Sequence, residues 1–362
     1  MTNDHALMAR ALRLAARGLY TAHPNPRVGC VILNDGQVVG EGYHARTGGP
    51  HAEVVALQTA GDAAAGATAY VTLEPCCHQG RTPPCTDALI RAGVGAVVIG
   101  ARDPNPSVDG GGVAQLEAAG IEVTTGVLQA ECEALNAGFN SRMQRRRPLV
   151  RVKQALSLDG RTALANGASE WISGEASRAD VQRWRARSSA ILTGIGTVLA
   201  DDPSLNVRDE ALGVRTQPDR LIVDSQLRTP PTARLLSLPG QTRIVCAADD
   251  QQRARALSDV GATVEVLPGD GGRVDLQALM HRLGELEINE LLVEAGPALN
   301  GALLQAGLVD ELLIYQAASV LGAGARGAFA VSDLEAMADR YTFDLQEVRR
   351  TGDDLRLRYT RS

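Results

Sequence analysis

Strand-like and helix-like runs alternate along almost the whole of this 362-residue chain, and one charged, proline-ended stretch, "NSRMQRRRP" (140–148), interrupts them. Such alternation confines a chain to layered α/β architectures with mostly parallel later strands. In the first run, "VGCVILNDGQVVGEGY" (28–43) reads as two strands around an Asn-Asp-Gly turn, a strong hairpin signal. There follow a helix from about His51, a strand over 69–74, a helix from Pro83, a strand over 96–100, a helix near 112–119 and a short strand near 121–125.

A second run begins at "LVRVKQALSLDGRTA" and continues through "SAILTGIGTV", "DRLIVDS", "TRIVCAA", "ATVEVLP" and "NELLVEAG". The seam is placed at 143–148, giving domains over 1–145 and 146–362, and the chain is long enough for two. Hydrophobic residues make up 44% and aromatics 3%, so the cores are expected to be aliphatic. The N-terminal segment reads as an amphipathic helix with Leu7, Ala11, Leu14 and Ala15 on one face rather than as a signal peptide, and no membrane span is expected. A net charge of −6 argues against a nucleic-acid surface, and "RRR" at 145–147 reads as a solvated linker. The six cysteines lack the spacing of a disulfide framework, so reduced thiols in a cytoplasmic protein are expected.

The stretch "PCCHQGRTPPC" (75–85) packs three cysteines and a histidine into eleven residues, and His51 of "HAEVVAL" stands twenty-five residues before Cys76. Catalytic zinc takes three protein ligands and leaves a fourth position for water. His51, Cys76 at a strand end and Cys85 just inside the next helix meet that count, and helix N-termini favour thiolate over thiol. Glu53, two residues after the histidine, is placed as proton carrier. Water on zinc has a pKa near 7, and an adjacent carboxylate can pass its proton to a leaving amine. H-x-E followed by P-C is the pattern of zinc nucleobase deaminases, although in that pattern the second cysteine follows much sooner than Cys85 does here. A structural zinc would want a fourth protein ligand, for which Cys77 and His78 are the candidates. Cys77 follows Cys76 directly, so two adjacent side chains would have to converge on one ion.

Further motifs narrow the reading: "HPNPRVGCVI" (23–32), "GEGYH" (40–44), "PHAE" (50–53), "YVTLEPC" (70–76), "GRTPPC" (80–85) and "DPNP" (103–106). With these the first half resembles the cytidine-deaminase superfamily and, more narrowly, the bifunctional deaminase/reductase family of riboflavin biosynthesis. That family's usual "PCSH" is "PCCH" here, so Cys77 stands where serine is common. The resemblance implies zinc on His51, Cys76 and Cys85, Glu53 as proton shuttle, and Asn25 and His44 along a pyrimidine pocket. Cys77 and His78 then drop out as ligands, His78 being expected to pack or hydrogen-bond beside the site.

In the second half, "GAGARG" (322–327) satisfies G-x-G-x-x-G, yet only thirty-five residues follow it, too few for a dinucleotide fold. "GIGTVL" (194–199) and "EAGPALNGALL" (294–304) each follow a strand-like run. Backbone N–H groups at such turns suit a phosphate, although strand–glycine–helix turns also serve as packing devices. "VKQALSLDGRTA" (152–163), "SEWISG" (169–174), "ILTGIGTVLADDPSLNVR" (191–208), "IVDS" (222–225) and "VEAGPALNGALLQAGLVDEL" (293–312) are similar to the reductase half of the same family. The resemblance thus covers nearly the whole chain outside 209–219 and 249–287. It implies an N-terminal cytidine-deaminase-like α/β/α domain followed by a dihydrofolate-reductase-like α/β domain that uses NADPH.

On that basis the cofactor would lie against Ala155, Trp171, Thr197, Asp201 and Ser225, with its phosphates at Gly296, Pro297, Ala298, Leu299, Asn300, Gly301 and Ala302. The sugar phosphate of a pyrimidine ribotide would meet Ser169, Arg185, Leu205, Arg208 and Glu294, with Lys153 close to the reacting ribose. The C-terminal strands read as apolar, so a homodimer through the second domain is expected, with no nucleic-acid or membrane partner. A nucleic-acid-editing deaminase is disfavoured by the acidic balance, the few aromatics and the lack of a basic stripe. A decayed second half is disfavoured by the motifs it retains.

Overall fold

The computed structural model describes residues 3–79, 83–214 and 216–362, so Gly80, Arg81 and Thr82 of the "GRTPPC" motif lie outside the described residues. The chain divides into two compact units between Arg146 and Arg147. The first comprises α1 (Asn3–Ala15), β1 (Gly29–Asn34), β2 (Gln37–Tyr43), α2 (Ala52–Ala60), β3 (Thr68–Leu73), α3 (Cys85–Arg91), β4 (Ala96–Ala101), α4 (Gly111–Ala118), β5 (Glu122–Thr125), α5 (Gln129–Leu135) and α6 (Ala137–Arg145). Its sheet runs β2-β1-β3-β4-β5. β1 is antiparallel to both its neighbours, while β3, β4 and β5 are parallel.

The expected hairpin turns at Asp35 (φ 48°) and Gly36 (φ 75°), a pair of left-handed residues that suits the twist of its strands. Alternation along β1 divides its side chains between two cores. Val31 packs with Leu7, Met8, Ala11 and Leu14 of α1. Cys30 and Ile32 pack on the other face with Ala52 and Ala56 of α2 and Leu89 of α3. The helix α2 approaches β2 closely because β2 carries Gly40 and Gly42. A Cβ at either would lie 2.2 Å from a carbonyl oxygen of α2, that of Ala56 or Ala52.

Of the three arginines expected to form a solvated linker (145–147), Arg145 closes helix α6 and Arg146 is its C-cap. Arg145, in its last turn, donates to Ser141 Oγ at 2.7 Å, and basic residues there complement the helix dipole. Arg147 is not free either: its two terminal nitrogens donate to the Asp310 carboxylate, each at 2.8 Å.

The second unit comprises β6 (Leu149–Leu156), β7 (Arg161–Ala163), α7 (Glu175–Arg187), β8 (Ala190–Gly194), α8 (Ile195–Asp201), β9 (Asp219–Val223), α9 (Arg234–Ser237) and β10 (Thr242–Cys246). There follow α10 (Gln251–Ser258), β11 (Thr263–Val266), α11 (Leu276–Glu285), β12 (Glu290–Val293), α12 (Pro297–Gln305), β13 (Glu311–Gln316), β14 (Arg326–Gly327), β15 (Phe343–Thr351) and β16 (Asp354–Arg361). Nine strands form one sheet in the order β11-β10-β9-β8-β12-β6-β13-β16-β15. The strands from β11 to β13 are parallel, and their central members are apolar runs because both faces are covered. The antiparallel β16 and β15 close one side. They differ from the apolar strands expected at the C-terminus: charged residues such as Arg349, Arg350, Arg356 and Arg358 punctuate them, and β15 forms the outer edge. "GAGARG" leads into the short β14 rather than a helix.

Near the start of β6, Arg151 is fully buried. It donates to Glu311 at 2.6 Å and Glu290 at 3.1 Å, and the Trp184 ring lies 4.6 Å from its guanidinium carbon. The opposite, carboxyl end of β6 carries Lys153 and Ala155. Open α/β sheets bind their ligands at that end of their strands.

Candidate functional site

His51 is the N-cap of α2, Cys76 follows β3, and Cys85 is the first residue of α3. Their donor atoms converge. His51 Nδ1 lies 3.2 Å from Cys85 Sγ and 3.6 Å from Cys76 Sγ, and the three atoms lie within 4.8 Å of one another. A tetrahedral zinc, with bonds of about 2.3 Å to sulfur and about 2.0 Å to nitrogen, holds such atoms about 3.5 Å apart, so this donor set fits it. Among the described residues no other trio of histidine, cysteine and carboxylate groups converges in this way. The Cys85 amide, which opens α3, donates to Cys76 Sγ at 3.4 Å. Hydrogen bonding to Cys85, reinforced by His51, holds the Cys76 thiol well below its ordinary range.

Glu53, in the first turn of α2, is only 3% exposed, and desolvation pushes its carboxyl up to about 7. A group so poised can both take and return a proton near neutral pH. Beside it, His44 Nδ1 lies 3.1 Å from the Pro50 carbonyl and Nε2 lies 3.0 Å from Asn25 Nδ2. A carbonyl only accepts, so Nδ1 carries the hydrogen and Nε2 accepts from the Asn25 amide. Burial lowers the His44 pKa and favours this neutral form. The Asn25 Oδ1 is thereby turned away from His44, and the His44 and His51 rings stand 5.4 Å apart.

Cys77 takes no part in the converging trio. Its Sγ lies 4.0 Å from the Ser107 carbonyl, on the side of the loop before α4. His78 is exposed, contrary to its expected packing beside the site. Sequence reasoning passed over Glu74, whose carboxylate accepts from the backbone N–H groups of Asp103, Gly110 and Val113 and so fixes that loop against the strand end bearing Cys76. The only signal was a glutamate, in "EPC", standing two residues before Cys76 at the end of a strand.

In the second unit, Lys153 lies on β6 and Glu294 directly follows β12, the parallel neighbour of β6. Lys153 Nζ is 3.4 Å from Glu294 Oε2. Arg185, buried on α7 rather than solvated, donates to Glu294 through Nε at 2.6 Å and Nη2 at 3.0 Å, and to the Asn206 carbonyl through Nη1 at 3.0 Å. Burial alone would push the Glu294 carboxyl up. The charges of Arg185 and Lys153 outweigh it and hold the carboxyl at about 2. The exposed Arg208 is fixed through its backbone N–H to Gln182 Oε1 at 2.8 Å, and its pKa is lowered by partial burial and then by the neighbouring Arg185 charge. Two guanidinium groups in one neighbourhood favour an anion. Leu205 is 2% exposed with φ 44°, so what it presents to a ligand is backbone.

The remaining candidates ring the same strand ends. Ala155 is half-buried on β6, Thr197 and Asp201 lie on α8, and Ser225 follows β9 with its Oγ accepting from Val274 N–H at 3.2 Å. Ser169 and Trp171 lie in the segment before α7. Gly296 is the N-cap of α12, and Pro297, Ala298 and Leu299 form its first turn. Asn300, Gly301 and Ala302 continue it. Asn300 is buried and donates to the Ala295 carbonyl at 2.8 Å, and a Cβ at Gly301 would lie 2.1 Å from the Ala330 carbonyl oxygen. These two residues therefore face the protein, and the turn offers a phosphate the backbone of its start.

Residues 1–101 match the family described as the cytidine and deoxycytidylate deaminase zinc-binding region, and residues 148–357 match the RibD C-terminal domain. The chain is 51% identical to the riboflavin biosynthesis protein RibD of Escherichia coli (strain K12), over 97% of this chain and 98% of that one. It is 40% identical to the protein of the same name from Aquifex aeolicus, over 97% of both. A solved RibD structure from Acinetobacter baumannii superposes with a TM-score of 0.92 at 46% identity, covering 99% of both chains. A Thermotoga maritima structure described as a diaminohydroxyphosphoribosylaminopyrimidine deaminase/5-amino-6-(5-phosphoribosylamino)uracil reductase gives 0.87 at 32% identity, again over 99% of both.

Proposed function

The chain belongs to the RibD family of riboflavin-biosynthesis deaminase/reductases, and from that premise we propose which of its residues carry each reaction. It is a bifunctional enzyme with a zinc-binding deaminase region, and its reductase region implies NADPH. The convergence of His51, Cys76 and Cys85 beside a buried Glu53 is the observation that carries the deaminase reading.

The first substrate is 2,5-diamino-6-ribosylamino-4(3H)-pyrimidinone 5′-phosphate. Zinc, when bound, supplies the Lewis acidity that makes water nucleophilic near neutral pH. Glu53 takes a proton from the attacking water and hands it to the departing amine. Asn25 Oδ1, left free by the hydrogen bond to His44, accepts from an N–H of the pyrimidine and aligns the ring. His44 acts through Asn25 and is a positioning residue.

The second reaction converts the ribosyl group of 5-amino-6-(5-phosphoribosylamino)uracil to ribityl. NADPH, when bound, supplies the hydride for C1′. Backbone N–H groups at the start of Gly296–Ala302 hold its phosphates, and Ala155, Trp171, Thr197, Asp201 and Ser225 line the rest of its path. Arg185, Arg208, Ser169 and the Leu205 backbone clamp the 5′-phosphate, whose remote binding energy serves placement. Lys153, paired with Glu294 at 3.4 Å, donates a proton to the ribose ring oxygen as the ring opens.

The outer edge of β15, which no further strand pairs among the described residues, exposes Leu345 and Val348 and supports a homodimer through the second unit. No helix among the described residues is long and apolar enough to cross a membrane, and free cysteines support a cytoplasmic setting. The test is to incubate the purified protein with the diaminopyrimidine ribotide, with and without NADPH, and to follow ammonia and NADPH. Ammonia release without NADPH, and NADPH oxidation when it is present, are expected. Ammonia without NADPH oxidation would remove the reductase reading, and neither signal would remove both.

A further inference from the structure

Trp171 is 69% exposed, an unusual position for so large an apolar ring. One face of the indole is nonetheless occupied: the Arg178 guanidinium carbon lies 4.6 Å from the ring centroid. Arg178 is held in turn, since its Nη1 donates to the Ser173 carbonyl at 2.6 Å, two residues beyond the tryptophan. The far end of this segment is pinned independently. Asp354 Oδ2 accepts from Gly174 N–H at 2.8 Å and from Ser177 Oγ at 2.6 Å, fixing the start of α7 on which Arg178 rides. Glu170, next to the tryptophan, is close enough to Asp201 at the end of α8 for its charge to reinforce the burial that raises the Asp201 pKa. The indole thus has one face braced by Arg178 while the ring as a whole stays largely exposed.

We propose that Arg178 is a positioning residue that braces the indole of Trp171, so that its open face forms a preformed stacking wall for the dinucleotide. The inference rests on the reading that Trp171 contacts NADPH. The physical basis is entropic as well as electrostatic. An exposed tryptophan in a connecting segment samples several rotamers, and ordering it on binding opposes affinity. A guanidinium stacked on one face and bonded to the adjacent backbone removes that freedom before the cofactor arrives.

The test measures NADPH binding by wild type, Trp171→Phe, Arg178→Gln, Arg178→Lys and the double variant Trp171→Phe/Arg178→Gln. The chain has two tryptophans, so the same titrations in a Trp184→Phe background report Trp171 emission alone. Arg178→Gln is expected to weaken NADPH binding about three- to tenfold, the scale of one partly desolvated cation–π contact. It should leave kcat at saturating NADPH within about twofold and make Trp171 emission more accessible to a neutral quencher. Arg178→Lys should recover part of the loss, and the double variant should bind no more weakly than Trp171→Phe. If Trp171→Phe weakens binding and Arg178→Gln does not, or if the two losses add in full, the brace is overturned while the cofactor reading stands. If Trp171→Phe leaves affinity unchanged, the cofactor reading of this segment falls and the brace falls with it.

Discussion

Gly42 of β2 and Ala52 of α2 are in backbone contact: a Cβ on Gly42 would lie 2.2 Å from the Ala52 carbonyl oxygen. Ala52 is the residue after His51, so the closeness of one strand to one helix sets the position of a zinc ligand. Gly42→Ala is expected to push α2 away, destabilising the first unit by about 1–3 kcal/mol, the usual scale of overpacking. It should also weaken zinc at least tenfold. Chelator competition and thermal melting of the zinc-loaded protein measure the two effects, and an unchanged zinc affinity would separate helix packing from ligand placement.

Among the cysteines of "PCCHQGRTPPC", the structure distinguishes ligand from bystander by geometry. Cys85 Sγ faces His51 Nδ1 at 3.2 Å, whereas Cys77 Sγ faces the Ser107 carbonyl. Cys77→Ser is expected to keep one zinc per chain and full ammonia release, and Cys85→Ser to lose both. Metal analysis of the purified variants decides this. Four protein donors in the zinc shell, seen by X-ray absorption, would contradict it.

Glu53 lies beside the ligand trio without belonging to it, and its burial poises it for proton transfer rather than metal binding. Glu53→Gln should therefore retain zinc while lowering the kcat for deamination by about 10²- to 10⁴-fold, the range of general acid–base catalysis. NADPH binding should be unaffected. Loss of zinc in this variant would make Glu53 a structural support for the ligands instead.

Glu294 gives the second unit a pH signature. Its folded pKa of about 2 lies below the ordinary carboxyl value of 4.5, so the unfolded chain takes up the proton first as pH falls. The stability this group contributes is whole above about pH 4.5 and is lost as pH falls toward 2, amounting to about 2 kcal/mol by pH 3. Arg185 is left without its carboxylate in Glu294→Gln, so that variant starts less stable. Its stability should nonetheless fall less steeply than wild type between pH 5 and 3, both values being about the limits of that titration. Denaturant melts across the range measure the slopes, and equal slopes would refute the prediction.

The order of elements was legible because each rests on a local period. Alternation in "VGCVILN" and the Asp-Gly pair specified the first hairpin, and apolar runs such as "ELLV" specified strands covered on both faces. The ligand trio was legible because soft donors are rare and their count matches an open zinc site. What escaped depends on partners distant in sequence. Arg147 reads as linker charge until Asp310 meets it, and Arg151 reads as an unwelcome charge in a strand until Glu290 and Glu311 flank it. The hydrogen on His44 Nδ1 is set by the Pro50 carbonyl, and the setting of Trp171 by Arg178, neither of which any spacing rule reveals. β15 and β16 looked apolar only in outline, since an edge strand keeps charges on its outward residues.

On the proposed reading, two separate constellations act in a fixed order, deamination and then reduction. The most direct test supplies Glu53→Gln with NADPH and one of two ribotides, the diaminopyrimidine or its deaminated product, and follows NADPH absorbance. No oxidation above background is expected with the first, and the wild-type rate with the second. Equal oxidation of both ribotides by Glu53→Gln would show that the reductase site does not require prior deamination, and would overturn the fixed order.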